Sequence, residues 1–138
     1  MDCLFCKIAS GEIDSAKIYE DNDVVAFLDA FPFSKGHSLV IPKKHFTDIH
    51  EIDSEVLKKV AVTFKNVATR IKDVLGADGI RISQSNGTVA GQVVFHIHFH
   101  AIPRYENDGL HFDEIGNKRS PKADESELKQ LAEKLKFN

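Results

Sequence analysis

No stretch of the 138 residues comes near the roughly 18 consecutive apolar side chains that suggest a membrane span. The N-terminus, Met1-Asp-Cys-Leu-Phe-Cys-Lys7, lacks a basic region followed by an apolar core, so no secretion signal is evident. The cytoplasm is therefore the expected location. Cysteine is scarce, and both copies lie in Cys3-x-x-Cys6, an awkward pair for a stabilising disulfide but a good metal or redox pair. A positive excess is missing too. The formal net charge is −3, which argues against a nucleic-acid polymer or an anionic membrane as partner. It leaves room for a small nucleotide, which needs only local donors. There is no internal repeat and no linker, so residues 1–138 read as one domain able to bury a useful core. No serine stands in a nucleophile-elbow pattern and no Walker A sequence is present, so those acyl and phosphate chemistries lack support.

Against that background one stretch stands out, His96-Ile-His-Phe-His-Ala-Ile102. Polar and apolar residues alternate with period two, the mark of a strand with one buried face. Phe95, Ile97, Phe99 and Ala101 are then expected in the core, with His96, His98 and His100 in a row on the other side. Alternate strand residues sit roughly 6–7 Å apart, close enough for the rings to share a small substrate or a metal. Histidine serves as nucleophile, acid or base near neutral pH. A His-x-His pair also supplies ligands in catalytic zinc enzymes, so a zinc site is a rival reading of the same row.

Around this stretch the pattern predicts an α+β domain on an antiparallel sheet of about five strands. Residues 17–28 read as a hairpin about Asp21-Asn-Asp23, residues 29–36 as a loop, and residues 37–42 as a strand ended by Pro42. From Asp53 the period becomes helical, through Val56, Val60, Phe64, Val67, Ile71 and Val74, with Asp53 as N-cap and Gly76 just past the end. Ile80–Ser83 begins another strand. Ser85–Gln92 is a polar, glycine-bearing loop suited to close approach by an anion. Pro103 is expected to close the histidine strand. Residues 105–122 read as an irregular polar tail, and a C-terminal helix follows from about Asp124, with Leu128, Leu131 and Leu135 on one face.

Phe27-Leu-Asp29, His37-Ser-Leu-Val-Ile-Pro-Lys-Lys-His45, Asn86-Gly87, Ala90-Gly-Gln92 and His96–Ile102 together resemble the histidine triad (HIT) family. The resemblance covers roughly residues 3–104 in consistent order, and the motif His-φ-His-φ-His-φ-φ is matched at every position. It is nearest to the branch of small nucleotide-binding proteins that includes bacterial members and purine nucleoside phosphoramidases. It implies a HIT-like fold and a homodimer that binds a purine nucleotide such as AMP or GMP and cleaves at the α-phosphate.

Carried over residue by residue, the resemblance makes His98 the nucleophile that forms a nucleotidyl-histidine intermediate. A backbone carbonyl would hold its other ring nitrogen. His100 and His37 would donate to phosphate oxygens, and Gln92 with the Gly91 loop would add donors. Asp29 would accept from the ribose, Asn86 would be the nearest amide on the base side, and Leu4, Phe5, Ile8 and Phe27 would line the base slot. In many family members Cys3, Cys6, His45 and His96 would hold a structural zinc, leaving His98 and His100 for phosphate. Two departures stand out: Val93 replaces a serine common after Gly-Gln, and Ser85 stands where asparagine is frequent. The competing functions are a non-catalytic nucleotide-binding or scaffold protein and a dinucleoside polyphosphate hydrolase.

Overall fold

A computed structural model describes residues 2–110 and 121–138. Five strands form one antiparallel sheet: β1 (Lys17–Glu20), β2 (Val24–Leu28), β3 (Ser38–Pro42), β4 (Gly79–Ser83) and β5 (Phe99–Arg104). Their spatial order is β1-β2-β3-β5-β4, which leaves β1 and β4 at the edges. Three α-helices accompany them: α1 (Leu4–Ser10), α2 (Ser54–Leu75) and α3 (Glu125–Leu135). None of the helices among the described residues is long and apolar enough to cross a membrane.

Local chemistry sets the element ends. Asp21 Oδ1 accepts from Asp23 N and Val24 N, which turns the β1–β2 hairpin. Asp53 caps α2 by accepting from Glu55 N, and Gly76 in the left-handed region (φ +68°) ends it. Asp124 caps α3 through Ser126 N and Glu127 N. Helix α1 has no counterpart among the elements expected from the sequence pattern. Its N-cap is Cys3, whose sulfur accepts from Cys6 N, and Gly11 (φ +84°) stops it.

β2 and β3 are buried along their whole length because both sheet faces are covered. On one face Val24, Ala26, Leu28, Val40 and Ala101 pack against Val60, Phe64, Val67 and Ile71 of α2 and Leu135 of α3. On the other, Val25, Phe27, Leu39 and Ile41 pack under Phe5, Ile8 and Ala9 of α1. At about 1.5–3 kcal/mol per fully buried large side chain, Phe5 and Ile8 suffice to hold a helix this short.

The histidine strand differs from expectation at both ends. β5 begins at Phe99 rather than His96, because Ile97 N donates to Phe46 O in a neighbouring loop instead of joining the ladder. Phe95 is consequently 45% exposed rather than in the core, while Ile97 is fully buried against Phe46 and Ile52. At the other end β5 continues through Pro103 to Arg104, with Pro103 opposite Ile80 of β4. Pairing with β3 has already ended at Ala101, and the Pro103 carbonyl on that side accepts from Ser34 Oγ. The missing N–H points to the same side, where no strand needs it. Most of the irregular tail expected over residues 105–122 lies outside the described residues.

Candidate functional site

Three histidines that alternate in sequence enter two different environments. His96 is fully buried beside Cys3, Cys6 and His45. Its Nδ1 lies 3.5 Å from both sulfurs, and His45 Nδ1 lies 3.4 Å from Cys6 Sγ. A tetrahedron with zinc–sulfur bonds of about 2.3 Å and zinc–nitrogen bonds of about 2.0–2.1 Å has a sulfur-to-nitrogen edge of about 3.5 Å. The donor set therefore fits a metal of that size and geometry. The opposite ring nitrogen, His96 Nε2, lies 2.8 Å from the Pro42 carbonyl. That carbonyl keeps the proton on Nε2 and presents Nδ1 as a lone pair to the thiols, the outer support that metal-bound imidazoles need. Burial pushes His96 down to about 4, so the ring is neutral at pH 7. Burial, with the neighbouring Cys3, pushes the metal-free Cys6 thiol up to about 11. A bound cation would reverse that shift.

Two residues along, His98 has the opposite tautomer. Its Nδ1 lies 2.8 Å from the His96 carbonyl, which accepts a proton held there and leaves Nε2 as the lone pair. Phe5 backs the ring edge-on at 5.0 Å, and His100 stands on the other side, again at 5.0 Å between centroids. Burial lowers the His98 pKa more than the His96 carbonyl raises it, so the ring is a neutral base.

His100 is oriented by a short chain. Phe33 N donates to His37 Nδ1 at 3.1 Å, which places the His37 proton on Nε2. His37 Nε2 then donates to His100 Nδ1 at 3.0 Å, which leaves His100 Nε2–H as a donor with no hydrogen-bond acceptor among the described residues. Asp29 Oδ2 lies 3.5 Å from the same His37 nitrogen, and Asp29 Oδ1 accepts from Phe31 N. Burial holds His37 and His100 at about 4, with repulsion from its histidine neighbours adding to the shift of His100. Asp29, His37 and His100 also form a possible two-histidine, one-carboxylate metal set. The Phe33 amide opposes that use, since a metal on His37 Nε2 requires the proton on Nδ1, where two N–H groups would then meet.

The sequence-based residues fall into three groups. Cys3, Cys6, His45 and His96 converge, as do His98, His100, His37 and Asp29. Phe5, Ile8 and Phe27 form one apolar cluster beside His98, whereas Leu4 stands apart at 48% exposure. Three expected phosphate or base contacts are engaged elsewhere. His37 is 2% exposed with both nitrogens bonded, so it stands behind His100. Gln92 is 3% exposed, and its amide donates to Thr47 O and Val94 O while accepting from Gly87 N. Asn86 pairs face to face with Gln84 and accepts from Ile49 N. Gly91 (φ +97°) closes the turn over Thr88–Ala90. Phe33, Pro42, Thr47 and Gln84 also shape the site without standing out in the sequence, three of them because they act through backbone atoms and carry no side-chain signal.

The HIT domain family model matches residues 10–107. The chain belongs to the HIT family. An uncharacterized HIT-like protein of Methanocaldococcus jannaschii is 48% identical over 117 residues, covering 83% of this chain and 90% of that protein. The adenylylsulfatase HINT3 of Arabidopsis thaliana is 40% identical over 130 residues, covering 94% of this chain and 66% of its own length. Among solved structures, a zinc-bound histidine triad family protein from Mycobacterium smegmatis superposes with a TM-score of 0.82 at 37% identity. It covers 98% of this chain and 94% of that one. His96, His98 and His100 and the cysteine pair of this HIT chain thus sit in a fold shared with a metal-bound relative.

Proposed function

We propose that the protein is a nucleotide hydrolase or transferase that cleaves purine nucleoside monophosphate derivatives at the α-phosphate. The observation that carries this reading is the contact between His98 Nδ1 and the His96 carbonyl, which sets the tautomer of the ring. With Nδ1–H held by the His96 carbonyl at 2.8 Å, the Nε2 lone pair is the nucleophile. Attack on the α-phosphorus forms a phosphorus–nitrogen bond to His98 as the bond to the amine or other leaving group breaks, the pair of electrons departing with that group, which takes up a proton from solvent. Water then cleaves the nucleotidyl-His98 bond and releases AMP or GMP. His100 Nε2–H donates to a phosphate oxygen as charge develops in each transition state.

Asp29 accepts from the ribose hydroxyls, and the cluster of Phe5, Ile8 and Phe27 backs the base. Gly91 brings its loop backbone close to the phosphate. That the Arabidopsis relative is an adenylylsulfatase supports cleavage at an adenylyl phosphorus with a leaving group other than an amine. Zinc is the metal we assign to Cys3, Cys6, His45 and His96, supported by the 3.4–3.5 Å sulfur–nitrogen edges and the zinc-bound relative. Four protein ligands close such a site, so the ion crosslinks the N-terminus to the loops around His45 and His96. We assign the chain to the cytoplasm as a homodimer, the edge strand β4 with Ile82 61% exposed being the face open to a second copy.

Phosphorus NMR of adenosine 5′-phosphoramidate, incubated with wild type and with His98→Ala, tests the reading. Release of AMP by the wild type alone is expected. Binding of the phosphoramidate without turnover overturns the hydrolase in favour of a nucleotide-binding scaffold. Selective turnover of diadenosine polyphosphates instead would favour the dinucleoside hydrolase.

A further inference from the structure

Residues 45–49 have no regular secondary structure, yet almost every one of them is anchored. His45 Nδ1 belongs to the metal cluster. Phe46 O accepts from Ile97 N at 2.8 Å, between His96 and His98. Thr47 O accepts from Gln92 Nε2 at 2.7 Å, and Ile49 N donates to Asn86 Oδ1 at 2.8 Å. One irregular segment thus ties the metal cluster to both ends of the glycine loop.

Gln92 also fixes the shape of that loop. Gly87 N donates to Gln92 Oε1 at 2.7 Å, and Gln92 N donates to Gly87 O at 3.0 Å. The two residues close residues 87–92 into a ring, with Gly87 and Gly91 at φ +89° and +97°. Its second amide hydrogen goes to Val94 O at 3.1 Å. Gln92 itself is buried, so its side chain is a rigid connector with its donors and acceptor engaged.

We propose that Gln92, assisted by Asn86, is a positioning residue that couples the metal cluster to the nucleotide pocket, so that metal and nucleotide bind cooperatively. The inference rests on the nucleotide-binding reading above. A metal at His45 immobilises residues 45–49. Gln92 and Asn86 pass that order to the glycine loop before the nucleotide arrives, and the ordering cost is met once for both ligands. By linkage the effect is reciprocal: a nucleotide that orders the loop raises metal affinity by the same factor, about tenfold for couplings of ordinary size.

The test uses the full-length protein with one equivalent of Zn2+ and measures zinc affinity by competition with a chromogenic chelator, with and without saturating AMP. AMP affinity is measured separately by calorimetry on zinc-loaded and zinc-free protein. Wild type is expected to bind zinc about tenfold more tightly with AMP present. Gln92→Met, which keeps volume and removes the hydrogen bonds, is expected to bring that ratio to within about twofold of one. A purely structural role would weaken both affinities and leave the ratio intact, which overturns the proposal. Should Gln92→Met fail to fold by circular dichroism, Asn86→Ala decides, with a reduced ratio supporting the coupling and an unchanged one overturning it. AMP that binds wild type without changing zinc affinity overturns the coupling alone. No AMP binding to wild type in either state overturns the nucleotide reading and the coupling with it.

Discussion

His96 and His98 are two residues apart, yet a backbone carbonyl gives each the opposite tautomer. The Pro42 carbonyl takes the Nε2 proton of His96 and turns Nδ1 toward two thiols. The His96 carbonyl takes the Nδ1 proton of His98 and leaves Nε2 for chemistry. Both rings are neutral, and although His96 is fully buried and His98 only partly so, burial alone does not say which nitrogen each presents. Identical side chains become ligand and nucleophile because each has one fixed acceptor on a different ring edge. His100 is a third case, turned into a donor by accepting from His37.

The comparison is broken most severely by removing the nucleophile. His98→Ala is expected to lower kcat for a nucleotide phosphoramidate by about 10³-fold or more, while shifting the thermal midpoint by only a few degrees. A residual rate within tenfold of wild type would assign the nucleophile elsewhere. Loss of the metal should do the reverse. Dialysis of zinc-loaded protein against a chelator is expected to lower the midpoint by more than about 10 °C, equivalent to about 4 kcal/mol of linked stability at ligand a thousandfold above its Kd. Cys6→Ser should make the midpoint insensitive to chelator, and equal sensitivity in both proteins would remove the metal from this end of the strand.

Acid tests what the two ends share. His37 and His100 sit at about 4, against about 6.5 for histidine in an unfolded chain. Between those values the unfolded state binds more protons, so stability falls as pH drops from about 6.5 to 4 and is flat above that window. Unfolding free energies from urea titrations at pH 7, 6 and 5 should decline on the order of 2 kcal/mol per buried histidine by pH 5. A midpoint independent of pH across that range contradicts the burial assigned to these rings. The smallest effect belongs to the chain behind His100. His37→Phe keeps a ring beside Phe33 but removes the donor, and is expected to lower kcat about 10- to 100-fold with KM within about threefold. Zinc affinity should be unchanged, and a parallel loss there would mean that His37 supports the whole fold.

Much of the architecture was readable in the chain. The helical period from Val56 to Val74 and the Asp53 and Gly76 caps locate α2 closely, because an amphipathic helix writes its burial into every third or fourth residue. The helix α1 was invisible, since seven residues are too few for a period and its cap is a cysteine. Phe95 was misplaced because alternation continues in sequence past the point where the ladder stops. Ile97 N pairs with a loop carbonyl instead, and nothing in the residue type announces that choice.

By itself the sequence determined the inventory: a His-φ-His-φ-His run, a cysteine pair, glycines flanking a polar turn, and the periods that specify a sheet covered by a long helix. Residue type and spacing decide those things directly. Only the tertiary structure decided which nitrogen of each histidine carries the proton, that His37 stands behind His100, and that Gln92 and Asn86 hold loops together. Those outcomes depend on backbone carbonyls and amides of Phe33, Pro42, Thr47 and Ile49. Every residue has such groups, so their positions exist only once the chain has folded.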